Sequence, residues 1–231
     1  MKTFGMLGGM GWESTVSYYS VINREVQKRT GGRHAARTLL YSFDFGEITP
    51  LQVAGKWDEI GDRLATAGAG LARGGADFLI ICCNTQHVVS DALERAARIP
   101  LIHIADPLGE AMKRAGMSRA ALLGTRYTME RDDVLKGRLK SRFGIECLVP
   151  SGADAAELNR IIFEELTQGN FNERARAHCR GLIKDLAAEG AEGVILGCTE
   201  LPLLLNAEDS SVPMFDTATL HALAAVDLAL E

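Results

Sequence analysis

Two cysteines sit where a thiol could act on a bound molecule. Cys83 ends the apolar run Phe78-Leu-Ile-Ile-Cys-Cys83 and is followed by Asn84-Thr85; Cys198 ends Gly193-Val-Ile-Leu-Gly-Cys198 and is followed by Thr199-Glu200. Each run is preceded by Gly-Ala and an acid, Gly75-Ala-Asp77 and Gly190-Ala-Glu192. Two thiols facing one pocket suit inversion at a carbon acid. One removes the Cα proton as a base, and the other returns a proton to the opposite face, with oriented N–H groups stabilising the carbanion. Each thiol is predicted to stand just before a helix N-terminus. There the dipole favours a thiolate, and Asn84, Thr85 or Thr199 can cap the helix while free N–H groups hold a carboxylate. Pro202 fits the first turn of the second helix.

The other candidate chemistries are weaker. Cys82 aligns with Gly197 and, by strand alternation, points away from the site; Cys147 and Cys179 read as small buried hydrophobes. Gly9-x-Gly11-x-x-Ser14 lacks the third glycine of a dinucleotide fingerprint and the acid that should follow it, so it is either a plain turn or one whose N–H groups line a pocket. There is no phosphate loop or nucleophile elbow. Cys82, Cys83 and His87 lack the spacing of a metal site. His87 falls one turn into the helix after Cys83, where a supporting role at the site and a plain surface or core role fit equally well. His34, His103, His178 and His221 read as structural.

The elements that must position the thiols follow from periodicity. Strands are predicted at Thr3–Leu7, Thr38–Phe43, Phe78–Cys82, Leu101–Ile104, Ala120–Leu123, Glu146–Val149, Val194–Gly197 and Pro213–Asp216. Helices are predicted at Ser14–Thr30, Trp57–Arg73, Thr85–Ala97, Pro107–Ala115, Glu130–Arg142, Ala153–Glu165, Asn172–Ala188 and Thr217–Leu230. Near-continuous hydrophobic strands alternating with helices predict an α/β fold of parallel sheets covered on both faces. Gly8 to Cys83 spans 75 residues and Gly124 to Cys198 spans 74, so two pseudo-symmetric domains are expected, with the site in the cleft between them at the carboxyl ends of the strands. The first domain takes residues 1–104 plus 213–231, and the second residues 105–212.

A chain of 231 residues suits two small domains. A formal charge of −5, with no basic patch among aromatics, argues against nucleic acid. No apolar run is long enough to span a bilayer, and glycines break the N-terminal apolar stretch before it could serve as a signal peptide. Five cysteines without framework spacing suit a reduced, cytoplasmic protein.

Gly8-Gly-Met-Gly-Trp-Glu-Ser-Thr15, Ser42-Phe-Asp-Phe-Gly-Glu-Ile48, Cys83-Asn-Thr-Gln-His87, Leu123-Gly-Thr-Arg-Tyr-Thr-Met129, Val194-Ile-Leu-Gly-Cys-Thr-Glu200 and Phe215-Asp-Thr217 together resemble the aspartate/glutamate racemase family over essentially the whole chain. The resemblance implies a homodimeric, cofactor-independent racemase acting on aspartate, with glutamate as a further substrate. Cys83 would serve the D-enantiomer and Cys198 the L-enantiomer. It implies that Asn84, Thr85 and Thr199 hold the α-carboxylate or amino group and that Met10, Gln52, Thr125 and Thr128 line the pocket. Gln86 stands where the family usually has Met, Ala or Ser, and a longer amide there could alter substrate choice. Arg126 and Lys56 are the cations available for an acidic side chain. Hydantoin racemisation, diacid isomerisation on the same fold, and non-catalytic amino-acid binding are the alternatives.

Overall fold

Three short apolar runs of the first hundred residues pair in parallel. The computed structural model describes residues 1–231. In order, β1 (Phe4–Gly8), α1 (Trp12–Thr30), β2 (Thr38–Ser42), α2 (Phe45–Val53), α3 (Trp57–Arg73), β3 (Phe78–Ile81) and α4 (Ser90–Ala97) belong to a first unit, residues 1–104 and 221–231. Its sheet runs β2-β1-β3, with Leu7 level with Tyr41 and Ile81. All of β1 is buried, as a central strand covered on both faces must be. Helix α3 turns Ile60, Leu64, Ala67 and Leu71 inward, a stripe at helical spacing, and begins with Asp58 and Glu59 where the dipole favours acids. Gly68 lets α3 lie close to α4, since a Cβ there would come within 2.1 Å of Leu93 Cδ1.

A second unit, residues 105–220, is built alike. It contains α5 (Ala105–Arg114), β4 (Arg119–Leu123), α6 (Arg126–Glu130), β5 (Glu146–Leu148), α7 (Gly152–Glu164), α8 (Glu173–Ala188), β6 (Val194–Leu196), α9 (Leu201–Leu204), β7 (Met214–Asp216) and the start of α10 (Thr217–Leu230). Its sheet runs β5-β4-β6-β7, all parallel. Leu123, Leu158, Ile161, Ile183, Val194 and Leu201 lie in its core. The α/β class with two small parallel sheets flanked by helices is therefore as expected. No helix is long and apolar enough to cross a membrane.

Pro213–Asp216 does not return to the first unit as predicted. It pairs with β6, Val194 facing Met214 and Leu196 facing Asp216, and its backbone is satisfied there. Only α10 from His221 onward is counted with the first unit. There His221 Nε2 donates to the Ile102 carbonyl at 2.8 Å, the Lys2 amide donates to the Ala229 carbonyl at 2.9 Å, and Arg29 pairs with Asp227. In the first unit Leu101–Ile104 occupies the position that β7 holds in the second. The Leu79 amide donates to the Pro100 carbonyl just as Val194 donates to that of Pro213, both at 2.8 Å. It forms only a single bridge, Leu79 to Leu101, because α5 begins at Ala105.

Three helices also differ from expectation. Thr85–Ala97 splits into a 3₁₀ turn, Thr85–Val89, and α4. Glu130–Arg142 breaks where Arg131 is extended, its guanidinium bound to Asp133, and continues as two π-helical turns, Asp132–Lys136 and Leu139–Phe143. Helix α2 has no counterpart among the predicted helices, and it contains the breaker types Gly46 and Pro50; Asp44 starts it by accepting from the Gly46 amide at 2.8 Å.

Asp209 gives the second unit a pH-dependent tie. Its side chain is 2% exposed, accepts from Arg176 Nε at 2.9 and 3.0 Å, and accepts from the Asn206 amide at 2.8 Å. The Arg176 bond holds its carboxyl below the usual range, against the opposing effect of burial. A depressed folded-state pKa gives stability that is present above the unfolded aspartate value of about 3.9 and lost as pH falls through the folded value. Asp209→Asn is therefore expected to flatten the acid limb of stability below about pH 4. Denaturant midpoints measured across pH 3–7 check this, and an unchanged acid limb would refute it.

Candidate functional site

Each unit carries one of the predicted thiols at the same place in its sheet. In the first unit Leu7 and Ile81 are the last pair of the β1–β3 ladder, and the Cys82 amide donates to the Leu7 carbonyl at 2.9 Å. In the second, Leu123 and Leu196 are the last paired residues of β4 and β6, and the Gly197 amide donates to the Leu123 carbonyl at 2.7 Å. Cys83 and Cys198 each follow one residue later, at the carboxyl end of a strand beside the central strand, where ligands of parallel sheets bind. Cys82 is fully buried, and burial pushes its thiol far up. Burial likewise raises Cys147 and Cys179 to about 12, so these three stay protonated thiols. Cys83 is partly exposed and Cys198 is 8% exposed.

Around Cys83 the chain makes a tight turn. Asn84 already has helical dihedrals and makes no side-chain cap, and the turn it opens has five residues. So short a turn sums few peptide dipoles, and the expected capped helix N-terminus behind the thiol is absent. Asn84, Thr85, Gln86 and His87 are all buried. Gln86 Nε2 donates to Gln52 Oε1 at 3.2 Å, which joins the predicted Gln52, on α2, to the unusual Gln86. Met10, buried, lies in the glycine turn after β1; the Gly9 amide there donates to Thr15 Oγ1 at 2.8 Å. Gly9 has φ +85°, and a Cβ would come within 2.2 Å of the Phe43 carbonyl oxygen, so only glycine fits.

Behind this turn lies a group of buried rings. His87 Nδ1 is 2.9 Å from the Cys83 carbonyl and 3.3 Å from that of Asn84. Both are acceptors, so Nδ1 carries the hydrogen. Its ring packs edge-on against His103, centroids 4.8 Å apart, and His221, 5.5 Å apart. The Tyr18 hydroxyl lies 2.8 Å from His221 Nδ1. Burial first, then the neighbouring His103 and His221, push the His87 imidazolium well below the usual histidine range.

Around Cys198 the decisive partner is Glu200, a residue absent from the predicted site. Cys198 Sγ donates to Glu200 Oε2 at 2.9 Å, and Thr199 Oγ1 donates to the same oxygen at 3.0 Å. Glu200 is 5% exposed. Thr199 is thus bound to Glu200 rather than capping α9, which has only four residues and no side-chain cap. Pro202 does lie in its first turn. An acid two residues beyond the thiol was the available signal. The carboxylate is within hydrogen-bond reach of the thiol, the adjacency by which a neighbouring base activates a thiol. Thr125 and Thr128 come together at the end of β4: Thr125 caps α6 through the Thr128 amide, and their hydroxyls are 3.3 Å apart. Thr128 also packs beside Gly124 and Gly197, next to the Cys198 turn.

The two proposed cations are engaged at the surface. Lys56 pairs with Glu59 at 3.6 Å, and Arg126 lies over the Tyr127 ring with Nη2 2.7 Å from its hydroxyl.

Known proteins resemble this chain along its length. The family model described as Asp/Glu/Hydantoin racemase matches residues 7–225. The broad specificity amino-acid racemase RacX of Bacillus subtilis (strain 168) is 25% identical over 222 residues, covering 93% of this chain and 92% of its own. A crystal structure of a candidate Asp/Glu racemase from Yersinia pestis is 47% identical with a TM-score of 0.94. That of an aspartate racemase homologue from Pyrococcus horikoshii OT3 is 36% identical with a TM-score of 0.84. Both cover 100% of each chain.

Proposed function

This chain belongs to the Asp/Glu/hydantoin racemase family, and from that premise we propose that it interconverts L- and D-aspartate, with glutamate as a second substrate, by a cofactor-independent transfer between two cysteines. The observation that carries the proposal is the repeated placement of Cys83 and Cys198, each one residue beyond the last ladder bond at the end of a matching strand. Cys198, assisted by Glu200, takes the Cα proton of the L-enantiomer, and the C–H electron pair remains as a planar carbanion conjugated with the carboxylate. Cys83 delivers its own proton to the opposite face. In the reverse direction the roles exchange. Asn84, Thr85 and Thr199 hold the amino and carboxylate groups; Met10, Gln52, Thr125 and Thr128 complete the pocket.

The test is chiral chromatography of aspartate, glutamate and a panel of other amino acids and hydantoins incubated in heavy water without added cofactor. Two monoprotic bases predict that the product enantiomer carries deuterium while unreacted substrate stays largely protiated. Absence of α-hydrogen exchange in every compound, alongside ligand-induced stabilisation, would instead mark an amino-acid-binding protein.

A homodimer is also proposed. Trp12, Val16 and Tyr19, at 65, 53 and 52% exposure, follow one face of α1, and Leu40 and Tyr41 are half-exposed on the edge strand β2. Apolar groups so exposed mark association surfaces. Sedimentation velocity is expected to give a dimer for the native chain and a shift toward monomer for Trp12→Glu; a monomeric native chain refutes the proposal.

A further inference from the structure

We propose that His87 is the positioning residue of Cys83, holding the turn that aims its thiol; the inference rests on Cys83 being one of the two bases. His87 is fully buried and leaves Nε2 without a hydrogen-bond partner. A buried imidazole with one nitrogen unsatisfied costs free energy that an apolar side chain in the same space would not. What an apolar side chain cannot supply is the Nδ1 donor, which reaches back to the carbonyl of Cys83 itself at 2.9 Å and to that of Asn84 at 3.3 Å. The first carbonyl belongs to the residue whose Cα–Cβ direction decides where the sulfur points, and the second to the residue after it, in a turn whose N-cap makes no side-chain bond. The ring is fixed in its turn. His103 and His221 pack edge-on to it, and His221 is anchored at both nitrogens, by the Tyr18 hydroxyl and the Ile102 carbonyl. The His87 ring stays neutral under burial and these neighbours, which keeps a single donor on the Cys83 side.

A readout specific to one thiol tests this. An aspartate analogue carrying chloride at Cβ eliminates HCl once a single base removes the Cα proton. The C–H electrons form the C=C bond, chloride departs, and the enamine hydrolyses to ammonia and a keto acid. Elimination from each enantiomer therefore reports on one base. The enantiomer assigned to Cys83 is the one whose elimination Cys83→Ser abolishes. His87→Gln places its amide donor where Nε2 was and loses the Nδ1 contact. It is expected to lose about 10- to 100-fold in elimination from that enantiomer, with the other changed less than about threefold, since displacement of a reacting group by about 1 Å costs on that order. His87→Asn keeps a donor at the Nδ1 position and is expected to recover most of the rate. Equal loss on both enantiomers, or no loss in His87→Gln, overturns the inference, and thermal unfolding of both variants identifies a general loss of fold. If Cys83→Ser eliminates normally from both enantiomers, Cys83 is not a base, and the inference falls with that reading. If Cys83→Ser is one-sided and His87→Gln is not, the positioning role alone falls.

Discussion

Cys83→Ser and Cys198→Ser are each expected to lower racemisation by about 10³-fold or more, the scale on which a positioned acid–base group contributes. A serine hydroxyl has the shape of the thiol, but at neutral pH it neither holds the negative charge that a base needs nor gives up its proton readily. The two variants should fail alike in both directions. L- and D-aspartate have equal free energy in solution, so any loss of kcat/KM from one side must appear equally from the other. Racemisation rates alone therefore cannot say which thiol serves which enantiomer, and chloride elimination can. Each variant should retain elimination from one enantiomer and lose it from the other, in opposite senses, and by resemblance Cys83→Ser should spare the L-form. If either variant racemised at the native rate, the two-thiol mechanism would be wrong.

The thiols were legible because their placement depends on backbone rules that also shape the sequence. An apolar run ending beside the central strand, then a small polar residue, marks the carboxyl end of a parallel strand in both units. Cys82 was legible for the same reason, since alternation sends it into the core. What the sequence hid was decided by competition between neighbours. Where a helix from Thr85 is expected there is a 3₁₀ turn, and in it the His87 ring binds the carbonyls of Cys83 and Asn84. Periodicity cannot register that contact, and so His87 reads equally well as a plain surface or core residue. Helix α2 was hidden by Gly46 and Pro50, although Asp44 was a legible start signal. The last strand was misassigned because a four-residue apolar run fits the edge of either sheet. Its pairing with β6 follows from the route the chain takes, which local pattern does not contain.

Glu200→Gln carries the second large effect, expected as a loss of about 10- to 100-fold in kcat. Glu200 Oε2 receives both the Cys198 thiol and the Thr199 hydroxyl, at 2.9 and 3.0 Å, so one carboxylate oxygen orders two of the groups assigned to substrate. Glutamine preserves the shape and a carbonyl acceptor that keeps the Thr199 hydroxyl bound, but it cannot take the thiol proton. A hydrogen bond to a charged group contributes about 1.5–3 kcal/mol, and each 1.36 kcal/mol is tenfold in rate. The fold should tolerate the change, since a neutral amide is easier to bury than a carboxylate. The loss should also be one-sided, falling on elimination from the enantiomer that Cys198 deprotonates. Glu200 acts through Cys198, so adding Glu200→Gln to Cys198→Ser should cost nothing further in the elimination that Cys83 still performs, where independent contributions would multiply. A further loss in the double variant would mean that Glu200 acts on the substrate through Thr199 or directly, and the carboxylate would then have to be reassigned from the thiol to the pocket itself.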